Sequence, residues 1–147
     1  MTEHGLVPAA TTGEAEEVRR LLDRGADPDV ADSAGRTALS HAAERGGAAV
    51  VRALLDSGAD PGPADGGGRR PVDLARRYAG RDLEAELVAR ATAYAPQDAL
   101  ITVRHETTAE GETRIVAEVR DGTGRRRSES WLGTGHAEIV RLLEARA

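Results

Sequence analysis

The sequence predicts a mainly α fold: a solenoid of helix-turn-helix repeats, followed by a small α+β C-terminal module of three antiparallel strands and a helix. Three observations predict it. Gly25-Ala26-Asp27-Pro28 returns as Gly58-Ala59-Asp60-Pro61, and Leu21-Leu22 as Leu54-Leu55, each 33 residues later. Self-similarity at a fixed period of this length marks a stack of small structural units. The chain has no Phe, one Trp and two Tyr, so its core is Ala, Leu and Val, which suits a thin stack better than a thick globule. From about residue 98 the helical period gives way to alternation, the pattern of half-buried strands.

The full repeat is residues 34–66. Thr37 is placed to N-cap a first helix, its hydroxyl accepting from a free backbone N–H. Leu39, Ala42 and Ala43 fall on one face of that helix. The alanines are small enough for close helix approach, and Gly46-Gly47 end the helix. Val50, Val51, Leu54 and Leu55 give a second helix its apolar stripe, and Gly58 stands at its C′ position. One such pair cannot bury its stripe alone, so stability is a sum over stacked neighbours.

These residues resemble the ankyrin repeat. The family's T-P-L-H-x-A-A stands here as Thr37-Ala38-Leu39-Ser40-His41-Ala42-Ala43. Its later glycine, V-V-x-x-L-L and G-A-D stand as Gly46, Val50-Val51, Leu54-Leu55 and Gly58-Ala59-Asp60. The resemblance covers residues 2–92, as repeats at 1–33, 34–66 and 67–94.

In the first repeat, Leu6, Ala9, Ala10 and Gly13 match Leu39, Ala42, Ala43 and Gly46. His4 takes the cap position, and Pro8 predicts a short or late-starting first helix, because it removes a backbone donor. Its second helix reads from Glu14 to Arg24, with Ala15, Val18, Leu21 and Leu22 inward and Gly25 as stop. In the third repeat Pro71 opens the first helix, and Leu83, Leu87 and Val88 supply the second stripe.

Residues 95–147 form the C-terminal module. Leu100–His105, Arg114–Arg120 and Arg126–Leu132 read as a meander, with Thr107–Glu112 a loop and Asp121-Gly122 a hairpin turn. Gly135–Ala145 reads as a terminal helix. Its text also looks like the second helix of a repeat, so the tail is either a modified fourth repeat or an unrelated cap. Residues 81–146 are also similar in element order to the double-stranded RNA-binding domain. That family grips phosphates with Lys at the start of its last helix, where this chain has Gly133–Glu138 with no Lys or Arg.

The net charge of −5 argues against a general nucleic-acid or membrane-surface binder. With no Cys there is no disulfide or thiolate chemistry. All 20 basic residues are Arg, as in a GC-rich, bacterial genome. No secretory signal or spanning segment is seen, so a soluble cytoplasmic protein is expected. His4, His41, His105 and His136 lack metal-ligand spacing, and Ser40-His41 point apart on a helix. Gly66-Gly67-Gly68 lacks the G-K-[ST] ending of a phosphate loop and reads as a loop tip. Trp131 reads as a core anchor. Neither catalytic residue, cofactor nor metal is expected.

The resemblance implies a non-enzymatic scaffold that binds another protein through loop tips and the first-helix face. Those positions fall at Ala31, Ser33, Ala34, Arg36, Glu44 and Arg45, and at Ala64, Gly66, Gly67, Arg69 and Arg77. The alternative is nucleic-acid binding or self-association, including a homodimer, through the C-terminal sheet and Arg125-Arg126-Arg127.

Overall fold

The structure, a computed structural model, describes residues 2–146, with side chains from residue 5 onward. The chain runs α1 (Thr2–Thr12), α2 (Ala15–Asp23), α3 (Ala38–Arg45), α4 (Ala48–Asp56), α5 (Pro71–Arg76), α6 (Leu83–Tyr94), β1 (Leu100–Thr107), β2 (Thr113–Arg120), β3 (Arg126–Gly133) and α7 (His136–Glu144). It divides into two compact units. One holds the residues up to 79 together with those from 135 on, and the other is residues 80–134.

The first unit is the repeat stack. First helices α1, α3 and α5 pack in series, and each leans on a second helix. Thr37 caps α3, its Oγ1 accepting from the Ser40 N–H at 3.2 Å. Leu39, Ala42 and Ala43 are buried, as are Val50, Val51, Leu54 and Leu55. Helices α2 and α4 end alike: Gly25 and Gly58 have φ of +94° and +89°. The following Ala26 and Ala59 N–H groups donate back to Leu21 and Leu54. This closes carbonyls that a helix end leaves open.

The third repeat differs from the sequence expectation. Its second helix is α7, not α6. Helix α7 packs on α5 and α4, as α4 packs on α3 and α2. Ile139 and Leu143 join the same buried core as Leu54 and Val18, with Val140 and Leu142 packed against it. The boundary expected at 94/95 therefore gives way to an interrupted repeat, with residues 80–134 inserted between its two helices. A sequence pattern explains the choice. Gly-x-Ala-x-x-Val-Arg-x-Leu occurs at Gly13–Leu21, Gly46–Leu54 and Gly135–Leu143, and the α6 segment lacks it. Because α7 belongs to the stack, the inserted unit has one helix, and the likeness to the double-stranded RNA-binding domain stops at element order.

Helix α1 runs its full length through Pro8, against the expectation of a short helix. Leu6, Ala9 and Ala10 are buried where α1 meets α2 and α3, and that packing outweighs one lost donor. The His4 side chain lies outside the described residues.

The inserted unit is an antiparallel meander in the order β1-β2-β3 with α6 packed across one face. Asp82 caps α6 by accepting from the Ala85 N–H at 3.1 Å. Leu87, Ile115, Ala117, Val119 and Leu132 are buried. The register pairs Ile101 with Val119, Val103 with Ala117 and Ile115 with Leu132, so these residues share the helix-covered face. Trp131 pairs with Val116, which places it on the opposite face rather than between sheet and helix. The Arg114 guanidinium lies 4.2 Å from the Trp131 ring centroid, a cation–π arrangement.

The β2–β3 turn also differs. The left-handed residue is Gly124, φ +85°, and Gly122 is not left-handed. The Asp121 N–H donates to the Arg125 carbonyl, and Gly124 to Asp121, so the loop holds three residues rather than two.

The repeat tips and the first-helix face

One five-residue signature builds the tips. Asp32-Ser33-Ala34-Gly35-Arg36 and Asp65-Gly66-Gly67-Gly68-Arg69 share the pattern Asp-x-x-Gly-Arg. In the first, Asp32 Oδ1 accepts from the Ala34 and Arg36 N–H groups at 2.9 and 3.0 Å. In the second, Asp65 Oδ1 accepts from Gly67 and Arg69 at the same distances. The glycine takes positive φ in both, +77° and +78°. The inserted unit's β2–β3 turn, Asp121–Arg125, uses the same design, Asp121 Oδ1 accepting from Thr123 and Arg125.

The two repeat tips are joined. The Gly66 N–H donates to the Ala34 carbonyl at 2.9 Å, and a Cβ on Gly66 would meet that oxygen at 3.2 Å. Glycine at 66 thus serves the close approach of two backbones. The N–H groups of Gly66, Gly67 and Gly68 are already taken by the Ala34 carbonyl, the Asp65 carboxylate and the Asp65 carbonyl, so they form no phosphate cradle.

The Asp65 carboxyl is held below its ordinary pKa, first by the Arg69 N–H, then by the Gly67 N–H, the Arg69 charge and the hydrogen bond from Arg36, against desolvation. Its Oδ2 takes the Arg36 Nε–H at 3.2 Å and faces Arg69 Nε at 3.4 Å. Arg36 also donates from Nη1 to Glu44 Oε1 at 3.0 Å. Burial draws the Arg36 pKa down, but Glu44 and Asp65 outweigh it and hold the guanidinium above its usual value. Asp32 Oδ2 accepts from His41 Nε2 at 2.8 Å, and that bond foremost depresses the Asp32 carboxyl. Ser40 turns the other way, buried beside Thr37.

Of the expected partner-binding residues, Ala31, Ser33, Ala34, Ala64, Gly66, Gly67, Arg69 and Arg77 are exposed. Ala31 is bridged to Thr37. Arg36, Glu44 and Arg45 are half-buried. Arg36 and Glu44 are tied to each other. Arg77 has no carboxylate partner among the described residues; its guanidinium lies 5.8 Å from the Tyr78 ring centroid.

The sequence reading missed His136 as an anchor. Its Nε2 donates to the Glu44 carbonyl at 2.7 Å, its ring sits 5.2 Å from Tyr78, and it is 2% exposed. Burial lowers its pKa, partly opposed by Glu44. Gly135 before it donates to the Gly46 carbonyl at 3.1 Å.

The arginine run is spread over several partners. Arg126 faces Glu118 at 3.8 Å and Glu129 at 3.3 Å, and Arg127 faces Asp121 at 3.8 Å. Arg125 has no side-chain partner among the described residues. Among those residues no helix is long and apolar enough to cross a membrane.

The chain matches the family model of ankyrin repeats, in three copies, over residues 5–82. It is similar to the crystal structure of the human ASB11 ankyrin repeat domain, at 24% identity and a TM-score of 0.46. That match covers 48% of this chain and 32% of the other, so the chain spans about a third of that domain. No curated protein matches. With more than half its length matched by the repeat model, and three pairs of stacked helices joined by Asp-capped tips, the chain belongs to the ankyrin-repeat family.

Proposed function

We propose that this chain is a non-enzymatic protein-binding scaffold whose partner docks on the repeat tips and the first-helix face. Ankyrin repeats generally mediate protein–protein interaction, and the partner here is another protein. The observation that carries the reading is the bond from the Gly66 N–H to the Ala34 carbonyl. It fuses two tips into one ledge, with Ser33, Ala34, Ala64 and Gly67 exposed along it and the Arg45 and Arg77 side chains at the C-terminal ends of the adjoining helices. A ledge fixed before binding loses little conformational freedom when a partner lands. Arginine on such a surface supplies bidentate contacts to carboxylates and is enriched among binding hot spots.

The test is affinity capture from the native cell with mass spectrometry, followed by binding of the captured partner to two variants. Arg45→Glu with Arg77→Glu should weaken capture at least about tenfold, or 1.4 kcal/mol. The triple Arg125→Glu, Arg126→Glu, Arg127→Glu should leave it unchanged. Loss in the triple alone moves recognition to the inserted unit and overturns this reading.

A further inference from the structure

The helix-covered face of the sheet is not filled along β3. The inward row of α6 tapers from Leu83 and Leu87 to Ala91, and continues in Ala95 just past the helix end. Opposite its small end, β3 presents Ser128 and Ser130, which pair with Val119 and Ala117 of β2. Small residues on both walls leave a groove of about 270 Å³ between α6 and β3, lined by Ala91, Tyr94, Pro96, Val119, Arg127 and Ser128. Tyr94 stands at its rim, 90% exposed.

The groove runs beside an open strand edge. β3 is an outer strand, and among the described residues its outer backbone groups pair with no other strand. Natural edges are usually shielded by charge, proline or a covering element. Here two of the three charged side chains of β3, Arg126 and Glu129, are turned away. Arg126 and Glu129 pair with each other, and Arg126 with Glu118, on the opposite face. A bulge causes the split. Val119 opposes Ser128 but Arg120 opposes Arg126, leaving Arg127 as the extra residue. Bulges re-aim side chains, and this one puts Arg127 into the groove, where regular alternation would place it on the far face.

We propose that the β3 edge takes an extended acidic peptide from another protein as a fourth strand, its alternate side chains dropping into the groove against α6. Strand addition beside a helix draws affinity from main-chain hydrogen bonds and specificity from the pockets for alternate side chains. The acidic preference comes from charge. Arg125 has no carboxylate among the described residues, and Arg127 has Asp121 only at 3.8 Å. Both can take a ligand carboxylate without breaking a short ion pair. This site lies wholly in the inserted unit and is independent of the repeat ledge.

The probe is a fluorescein-labelled octapeptide of alternating valine and glutamate, titrated against the full chain by anisotropy. Two controls accompany it: the same peptide with lysine for glutamate, and the acidic peptide with alternate amides N-methylated. Expected are saturation by the acidic peptide, at least tenfold weakening by Arg127→Glu, and loss of binding for both controls. Ala91→Met, which intrudes on the groove, should weaken binding too, and Arg127→Glu carries the test if Ala91→Met fails to fold. Amide shifts in a ¹⁵N spectrum should centre on residues 126–130. No saturation by about 1 mM, equal binding of the lysine peptide, or shifts centred on β1 would overturn the proposal. So would light scattering that shows a β3-mediated dimer without peptide, because the occupant would then be a second copy.

Discussion

Arg36 and Asp65, 29 residues apart in the chain, are joined by a 3.2 Å hydrogen bond from guanidinium to carboxylate. The bond locks the Asp65–Arg69 tip to the Asp32–Arg36 tip. Arg36 is 17% exposed in its side chain and Asp65 only 2%.

Arg36→Glu would face two carboxylates, Glu44 and Asp65, where it now neutralises both. We expect it to destabilise by roughly 2 kcal/mol, in the range for losing charged hydrogen bonds in a partly shielded site. Arg45→Glu should cost far less. Thermal melts of the two single variants check this. Equal melting temperatures would mean that the pair does not hold the tips together.

The interrupted third repeat makes a sharper prediction. Leu54 and Ile139 are both 0% exposed in one core, and Leu87 is equally buried in the inserted unit. Leu54→Ala and Ile139→Ala should each cost roughly 2–5 kcal/mol, the usual range for a large-to-small change in a core, and both should lower protection of α3 and α4 amides in hydrogen exchange. Leu87→Ala should lower protection mainly in β1–β3. If Ile139→Ala spares the repeats and Leu87→Ala melts them, α6 is the second helix of the third repeat after all.

His136 gives a pH dependence whose sign is fixed by its lowered pKa. The unfolded chain takes up the proton near pH 6.5, before the folded chain does. The folded state therefore binds fewer protons in the window below that value, and stability falls as pH drops from about 6.5 toward the folded pKa. The depressed carboxyls of Asp32, Asp65 and Asp73 act lower. Their contribution is present above about pH 4 and lost below it. Denaturant melts between about pH 5 and 7 should slope for the wild type and flatten for His136→Phe. The same slope in both would assign it to another group.

The repeats were legible because each residue of their signature has a local job: a cap at Thr37, small inward alanines, a left-handed glycine at Gly58. The partnership of α7 was written in the chain as well, since Val140, Arg141 and Leu143 repeat Val51, Arg52 and Leu54. It was hidden by the 55 residues of the inserted unit, because a fixed period is sought between neighbours. The β3 bulge and the tie from Arg36 to Asp65 were not legible. Neither residue type nor spacing says which of two adjacent arginines a bulge will turn, or which carboxylate a tip arginine will reach.

Two glycines test separate reasons for having no side chain. Gly58 has φ +89° and open space where a Cβ would stand, so its constraint is backbone alone. Asparagine tolerates the left-handed region and β-branched residues do not. Gly58→Asn should therefore be mild, and Gly58→Val should cost about 1–3 kcal/mol. Gly135 has an ordinary φ of −91°, but a Cβ there would meet Ala48 Cβ and the Gly46 carbonyl oxygen, both at 2.9 Å. Its constraint is contact, and no choice of backbone preference relieves it. Gly135→Asn and Gly135→Ala should both destabilise by about 1–3 kcal/mol, as overpacking does, by forcing the start of α7 off the α3–α4 loop. Chemical denaturation of the four variants gives the comparison. A mild Gly135→Asn beside a severe Gly58→Asn would reverse both assignments, and would mean that α7 starts without the close approach at Gly46.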